Sequence, residues 1–158
     1  MRLVINKSRL SGSVEIPGSK SHTIRATAIA SLADGRSTIR KPLTASDTLA
    51  AVNAYSLFGA DITRLDDCWN VCGIGGCPNI PENIIDVGNS GTTLYIALGS
   101  AALIDGISVL TGDDQIRCRP AQPLIDALNK LGATVESTRA NGMAPIIVRG
   151  PMRGGEII

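Results

Sequence analysis

The chain has 158 residues, a formal net charge of +1 and 44% apolar residues, but only one Trp, two Tyr and one Phe. That length suits one domain with a real core, which so few aromatics oblige to be built from Ile, Leu, Val and Ala. The near-neutral charge, with Lys and Arg scattered, argues against nucleic-acid or membrane binding driven by bulk charge; no run of 18 apolar residues spans a membrane, and Met1–Asn6 lacks a signal-peptide pattern, so the expected location is cytoplasmic.

Residues 1–16 read as two short strands, Leu3-Val4-Ile5 and Val14-Glu15-Ile16, separated by Ser11-Gly12-Ser13 and closed by Pro17-Gly18. From Ser21 to about Leu32, apolar residues at Ile24, Ala28, Ile29 and Leu32 have helical spacing. Asp34-Gly35 ends that helix, and Ser37–Ile39 reads as a strand. Ser46-Asp47 is the expected N-cap pair of a second helix running to Phe58, with Gly59 at its C-terminal cap. Asp61–Arg64 and Trp69–Cys72 suggest a hairpin. After a Gly/Pro-rich loop the pattern begins again. Asn83–Val87 is expected as a strand, Gly91–Leu103 as a helix and Ile107–Leu110 as a strand. Pro123–Leu131 follows as a helix, and Thr134–Ser137 with Ile146–Val148 as a last hairpin.

This is an internal repeat. Leu57-Phe58-Gly59-Ala60-Asp61-Ile62 matches Lys130-Leu131-Gly132-Ala133-Thr134-Val135, and glycine-rich helix starts recur at Gly18 and Gly88. Two such units should aim equivalent helix N-termini at one cleft and focus positive potential on one anionic ligand. The cysteines Cys68, Cys72 and Cys77 form C-x3-C-x4-C, with no C-x2-C pair and the only histidine, His22, far away. They read as reduced thiols, and no metal is expected.

The chemistry concentrates in Pro17-Gly18-Ser19-Lys20-Ser21-His22-Thr23-Ile24-Arg25, where a lysine, a hydroxyl and an arginine open a helix. A helix N-terminus offers unpaired N–H groups and a partial positive charge, so these residues make an anion site suited to phosphate and carboxylate. Two more motifs follow: Asp86-Val87-Gly88-Asn89-Ser90-Gly91-Thr92, and Thr111-Gly112-Asp113-Asp114 with Arg119-Pro120.

In order and spacing these three motifs resemble the 5-enolpyruvylshikimate-3-phosphate synthase family, over about Leu10 to the last residue. The resemblance implies an α/β (α+β) fold of repeated units, with helices inside and sheets outside, of which about two of the three units of one domain are present. It assigns residues 1–17 to strands of the opposite domain or hinge, and residues 18–158 to an incomplete substrate-binding domain of two repeats, about 18–78 and 79–158. The implied reaction moves the enolpyruvyl group of phosphoenolpyruvate to shikimate 3-phosphate, in aromatic amino acid biosynthesis, without a cofactor. Lys20 matches a catalytic lysine touching both small anionic substrates. Ser21 and Arg25 match groups that hold shikimate 3-phosphate, and Asn89, Gly91, Thr92 and Arg119 match the phosphoenolpyruvate side, where bulk at Gly91 would obstruct glyphosate. Asp47 resembles an acidic position with a structural or hinge role, and Asp113 and Asp114 are expected to shape a loop.

Two departures stand out. The family's second motif continues G-T-x-x-R, whereas here Tyr95 replaces the arginine. The sequence also stops at Gly154–Ile158, just before a Ser-Ser-Gln substrate segment. The expectation is therefore a fragment or truncated form, inactive alone, whose partner is the missing C-terminal half or a second copy. The alternatives are a non-catalytic phosphometabolite-binding module and the relative acting on UDP-N-acetylglucosamine, which carries asparagine where this chain has Ser21.

Overall fold

The computed structural model describes residues 3–157. In chain order the elements are α1 (Lys20–Leu32), β1 (Arg36–Arg40), α2 (Ser46–Leu57), β2 (Asp61–Arg64), β3 (Cys68–Cys72), β4 (Ile85–Asp86), α3 (Gly91–Ala101), β5 (Ile107–Thr111), α4 (Gln122–Lys130), β6 (Thr134–Ser137) and β7 (Ile146–Arg149). A single 3₁₀ turn at Ile116–Cys118 precedes α4. The strands form two sheets, ordered β1-β3-β2 and β4-β5-β7-β6. All neighbours are antiparallel except β4 and β5, which run parallel.

Helices α1, α2 and α3 pack on one another, and each also packs on a strand of a sheet. α1 and α2 pack together, and most of the side chains they bury are small, Ile24 and Tyr55 being the large ones. Thr23, Thr27, Ala28, Ala30 and Ser31 are buried on α1, and Thr48, Ala51 and Ala54 on α2. Buried threonine hydroxyls need partners. Thr27 donates to the Thr23 carbonyl and Thr23 to the Ser19 carbonyl, each at 2.9 Å. α3 is the most apolar helix, burying Leu94, Ala97, Leu98 and Ala101. Three of the four aromatics, Tyr55, Phe58 and Trp69, are spent in the core. Tyr55 and Phe58 meet edge to face at 5.6 Å between ring centres, and the Tyr55 hydroxyl pairs with the Ser100 hydroxyl at 2.8 Å. Burial pushes the Tyr55 phenol above its ordinary pKa, against the smaller effect of Ser100.

The structure differs from the sequence reading at three places. No strand forms at Leu3-Val4-Ile5 or Val14-Glu15-Ile16. A strand is defined by a neighbour that takes its N–H and C=O groups. Here the chain stands away from both sheets, with Leu3 75% and Leu10 95% exposed. The strand expected over Asn83–Val87 shrinks to Ile85–Asp86. At its ends, side chains compete for the backbone: the Asn83 carbonyl oxygen accepts from the Ile84 N–H at 2.7 Å, and the Asp86 carboxylate from the Gly88 N–H at 2.8 Å. Finally, Ala45 rather than Ser46-Asp47 occupies the cap of α2. Thr48 does the capping work. Its hydroxyl accepts from the Ala45 N–H at 3.0 Å and lies 2.7 Å from the Leu43 carbonyl and 2.9 Å from that of Ala45.

Candidate functional site

The N-termini of three helices meet. α1 begins after Ser19, whose hydroxyl accepts from the His22 N–H at 3.4 Å. α3 begins after Ser90, whose hydroxyl accepts from the Thr93 N–H at 3.3 Å and pairs with the Thr93 hydroxyl at 2.7 Å. The start of α2 sits between them, because the linker before it is stapled to α1. The Leu43 N–H donates to the Thr23 hydroxyl at 3.0 Å, and Thr48 ties Leu43 into α2. Asp47 is thereby placed to join the other two helices. Its carboxylate receives the Lys20 ammonium at 2.6 Å, and its carbonyl accepts from Thr93 Oγ1 at 3.4 Å.

Lys20 is 53% exposed and Asp47 only 17%. The carboxylate is thus the fixed partner and the ammonium the accessible one. An ammonium has three N–H donors, and a single carboxylate oxygen leaves the others for a ligand.

The second and third motifs are zipped together. The Asp113 N–H donates to the Gly88 carbonyl at 2.9 Å, and the Asn89 amide donates to the Asp113 carboxylate at 2.7 Å. The same carboxylate accepts from the Gln115 and Ile116 N–H groups, each at 3.0 Å. These bonds, the Ile116 N–H foremost, together with the Arg117 charge hold its carboxyl below the ordinary carboxylate pKa. Arg117 reaches the Gly112 carbonyl and the Asp114 carboxylate, and Arg139 braces the Arg117 carbonyl at 2.9 Å. Gly112 permits the approach, since a Cβ there would stand 2.6 Å from the Gly88 carbonyl oxygen.

The braced loop delivers Arg119 over the first turn of α3. A Cβ built on Gly91 would lie 2.8 Å from Arg119 Nη1. Arg119 thus lies against Gly91, Asn89 is tied to the same loop through Asp113, Thr92 follows Gly91 in the first turn of α3, and the next residue, Thr93, bonds Asp47, the partner of Lys20. Ser21 and Arg25 lie one helical turn apart on α1, with the guanidinium 3.4 Å from the Ser21 carbonyl. Among the described residues, no hydrogen bond or ion pair joins them to Arg119.

The site is an open face: Lys20, Arg25 and Arg119 are exposed. A depression of about 460 Å³ on the outer face of the first sheet, lined by Arg36, Thr38, Asp61, Thr63, Asn70 and Cys72 among others, contains none of the candidate residues. Among the described residues, no three His, Cys, Asp or Glu side chains converge to hold a metal, and no helix is long and apolar enough to cross a membrane.

Sequence reasoning did not find the partners. Asp47, Asp113 and Tyr95 bond to Lys20, Asn89 and the Pro120 carbonyl across 27, 24 and 25 residues of chain. The local signals were Asp47 in the first turn of a helix, Asp113 in the third motif and Tyr95 in place of the motif's arginine, none of which names its partner.

A family profile described as EPSP synthase (3-phosphoshikimate 1-carboxyvinyltransferase) matches residues 4–158. The 3-phosphoshikimate 1-carboxyvinyltransferase of Acetivibrio thermocellus is 55% identical over 155 residues, covering 98% of this chain and 37% of that protein. The protein of the same name from Methanothermobacter thermautotrophicus is 50% identical over 156 residues, with 98% and 37% covered. Among solved structures, EPSP synthase from Acinetobacter baumannii superposes with a TM-score of 0.86 at 26% identity, covering 92% of this chain and 33% of that one. The enolpyruvyl transferase NikO from Streptomyces tendae shares the fold alone, at a TM-score of 0.60 and 12% identity. This chain spans little more than a third of the length of the curated relatives it matches, and it belongs to the EPSP synthase family.

Proposed function

We propose that this chain provides a substrate-binding part of a shikimate-pathway enolpyruvyl transferase, which joins the enolpyruvyl group of phosphoenolpyruvate to shikimate 3-phosphate and releases phosphate. The observation that carries this reading is the meeting of the α1, α2 and α3 N-termini, with Lys20 bonded to Asp47 and Arg119 lying over Gly91. Three partial positive charges and two cations suit two anionic substrates held side by side. Lys20, steadied by Asp47, neutralises phosphate and donates toward charge developing at the reacting carbon. Ser21 and Arg25 hold shikimate 3-phosphate beside it. Arg119 takes the phosphoenolpyruvate carboxylate or phosphate in a fork. Asn89 and Thr92 present donors at the start of α3, and Gly91 keeps the space beneath the guanidinium clear. Residues 1–17 belong to the hinge or the opposite domain in this reading. Their exposed Leu3, Val4, Ile5, Leu10, Val14 and Ile16 are the surface on which the rest of the enzyme packs. A chain that stays monomeric at high concentration would count against that last assignment.

The test is a calorimetric titration of the folded chain with shikimate 3-phosphate, beside Lys20→Ala. Saturable binding that the substitution weakens tenfold or more supports the reading; the loss of one charge-assisted contact is worth about 1.5–3 kcal/mol. Absence of binding in a sample that melts cooperatively overturns it for this chain. Binding that persists without turnover, once the remainder of a relative is supplied, would favour a non-catalytic binding module.

A further inference from the structure

We propose that Tyr95 is a positioning residue that holds Arg119 over the N-terminus of α3; this rests on the reading of Arg119 as an anion contact. Tyr95 lies one helical turn beyond Gly91, so the two share a face of α3. The Tyr95 hydroxyl donates to the Pro120 carbonyl at 3.0 Å. On the other side, the Arg119 N–H donates to the Ile116 carbonyl at 3.0 Å. The backbone of Arg119 is therefore tied at both neighbours, once to the 3₁₀ turn and once to α3. Pro120 adds stiffness, since its ring fixes φ.

The Arg119 side chain makes no hydrogen bond or ion pair among the described residues, although it lies over Gly91. A guanidinium beside a helix N-terminus faces a partial charge of its own sign. That repulsion disfavours the inward position, which the side chain nonetheless holds over Gly91. The Tyr95 strut opposes the repulsion through the main chain and leaves all five guanidinium donors free. Where the family motif has a cation at this position, Tyr95 supplies geometry in place of charge. Order prepared before binding reduces what the ligand must impose.

A double-mutant cycle on the folded chain tests this, with phosphoenolpyruvate and inorganic phosphate as the probes and Tyr95→Phe, Arg119→Ala and their combination as the variants. Tyr95→Phe keeps the ring and removes only the strut. It should weaken phosphoenolpyruvate about fivefold, the worth of one net hydrogen bond, and have no effect when Arg119 is already Ala. In the ligand-free chain, the Nε–H resonance of Arg119 should shift toward that of a mobile side chain in Tyr95→Phe, with the melting temperature lowered by no more than about 4 °C. Equal weakening in both backgrounds, or an Nε–H signal that does not move, overturns the proposal. If Arg119→Ala leaves binding intact, Arg119 is not the anion contact. The Nε–H signal still decides whether Tyr95 positions it.

Discussion

The two halves of the chain are built to one plan and finished differently. In each, a strand starts sixteen residues after the first residue of the helix that precedes it: Lys20 to Arg36, and Gly91 to Ile107. In each, that strand lies beside the last strand of a hairpin. The second sheet gains a fourth strand, since β4 lies parallel to β5 and the Val87 N–H donates to the Thr111 carbonyl at 3.0 Å. The first sheet has no such strand, although Glu15 precedes α1 by the same five residues as Asp86 precedes α3. Just beyond the strand the two halves also differ by two prolines. Pro17 stands where the second half has Gly88, and Pro42 where it has Asp113, whose N–H donates to Gly88. Pro42 has no N–H to give. Glu15 reaches the sheet only through an exposed ion pair with Lys41 at 2.9 Å, a contact of little worth. A repeat thus preserves the element order while the edges of its two sheets are finished differently.

The helices differ in the same pairwise way, and the largest predicted effect measures it. Leu98 on α3 and Thr27 on α1 occupy equivalent turns, and both are fully buried. Leu98→Ala should cost about 3 kcal/mol, because the surrounding core cannot close the cavity. Thr27→Ala should cost about 1 kcal/mol, since it removes a methyl together with a hydroxyl whose bond stays within its own helix. Urea unfolding of both variants checks the pair. Equal losses would mean that the two helices carry the core alike. A smaller effect concerns the open edge. β1 pairs with β3 through Gly35 and Lys41, so alternation turns the main-chain groups of Arg36, Thr38 and Arg40 outward. Their amides should exchange at least about tenfold faster than those of Ser37 and Ile39. Uniform protection along β1 would show the edge to be covered.

How much of this was legible in the sequence depended on where the partners lay. Helix extents followed from apolar spacing and from Gly59 and Gly132, which end α2 and α4 with φ of 103° and 94°. Leu3–Ile16 did not, because β propensity marks residues fit for a strand and cannot supply the neighbouring edge. Lys20, Gly91 and Arg119 could be singled out as members of compact motifs. Asp47, Asp113 and Tyr95 could be singled out too, but their partners could not, since each of those lies more than twenty positions away and nothing in the sequence around them announces the contact. The 3₁₀ turn at Ile116–Cys118 was hidden similarly, in a loop whose shape depends on the Asp113 carboxylate.

That carboxylate gives the smallest prediction and the one that bears most directly on why the two halves differ. Asp113 occupies the position of Pro42. In the second half it supplies both the N–H that closes the sheet onto Gly88 and the acceptor that gathers Asn89, Gln115 and Ile116. Its folded pKa is lowered, chiefly by the Ile116 N–H. A carboxyl of this kind contributes stability that is present above its unfolded pKa and is lost as pH falls through the folded value. Acid should therefore loosen the join between the second and third motifs as Asp113 takes up its proton. Asp113→Asn keeps the backbone N–H and the shape of the side chain but removes the charge. It should lower the melting temperature slightly at neutral pH, flatten the decline of stability as pH falls below the ordinary carboxylate range, and speed exchange of the Asn89 side-chain amide. An unchanged acid profile in that variant would show that the Asp113 backbone N–H alone binds the two motifs, leaving the closed edge of the second sheet as the whole difference between the halves.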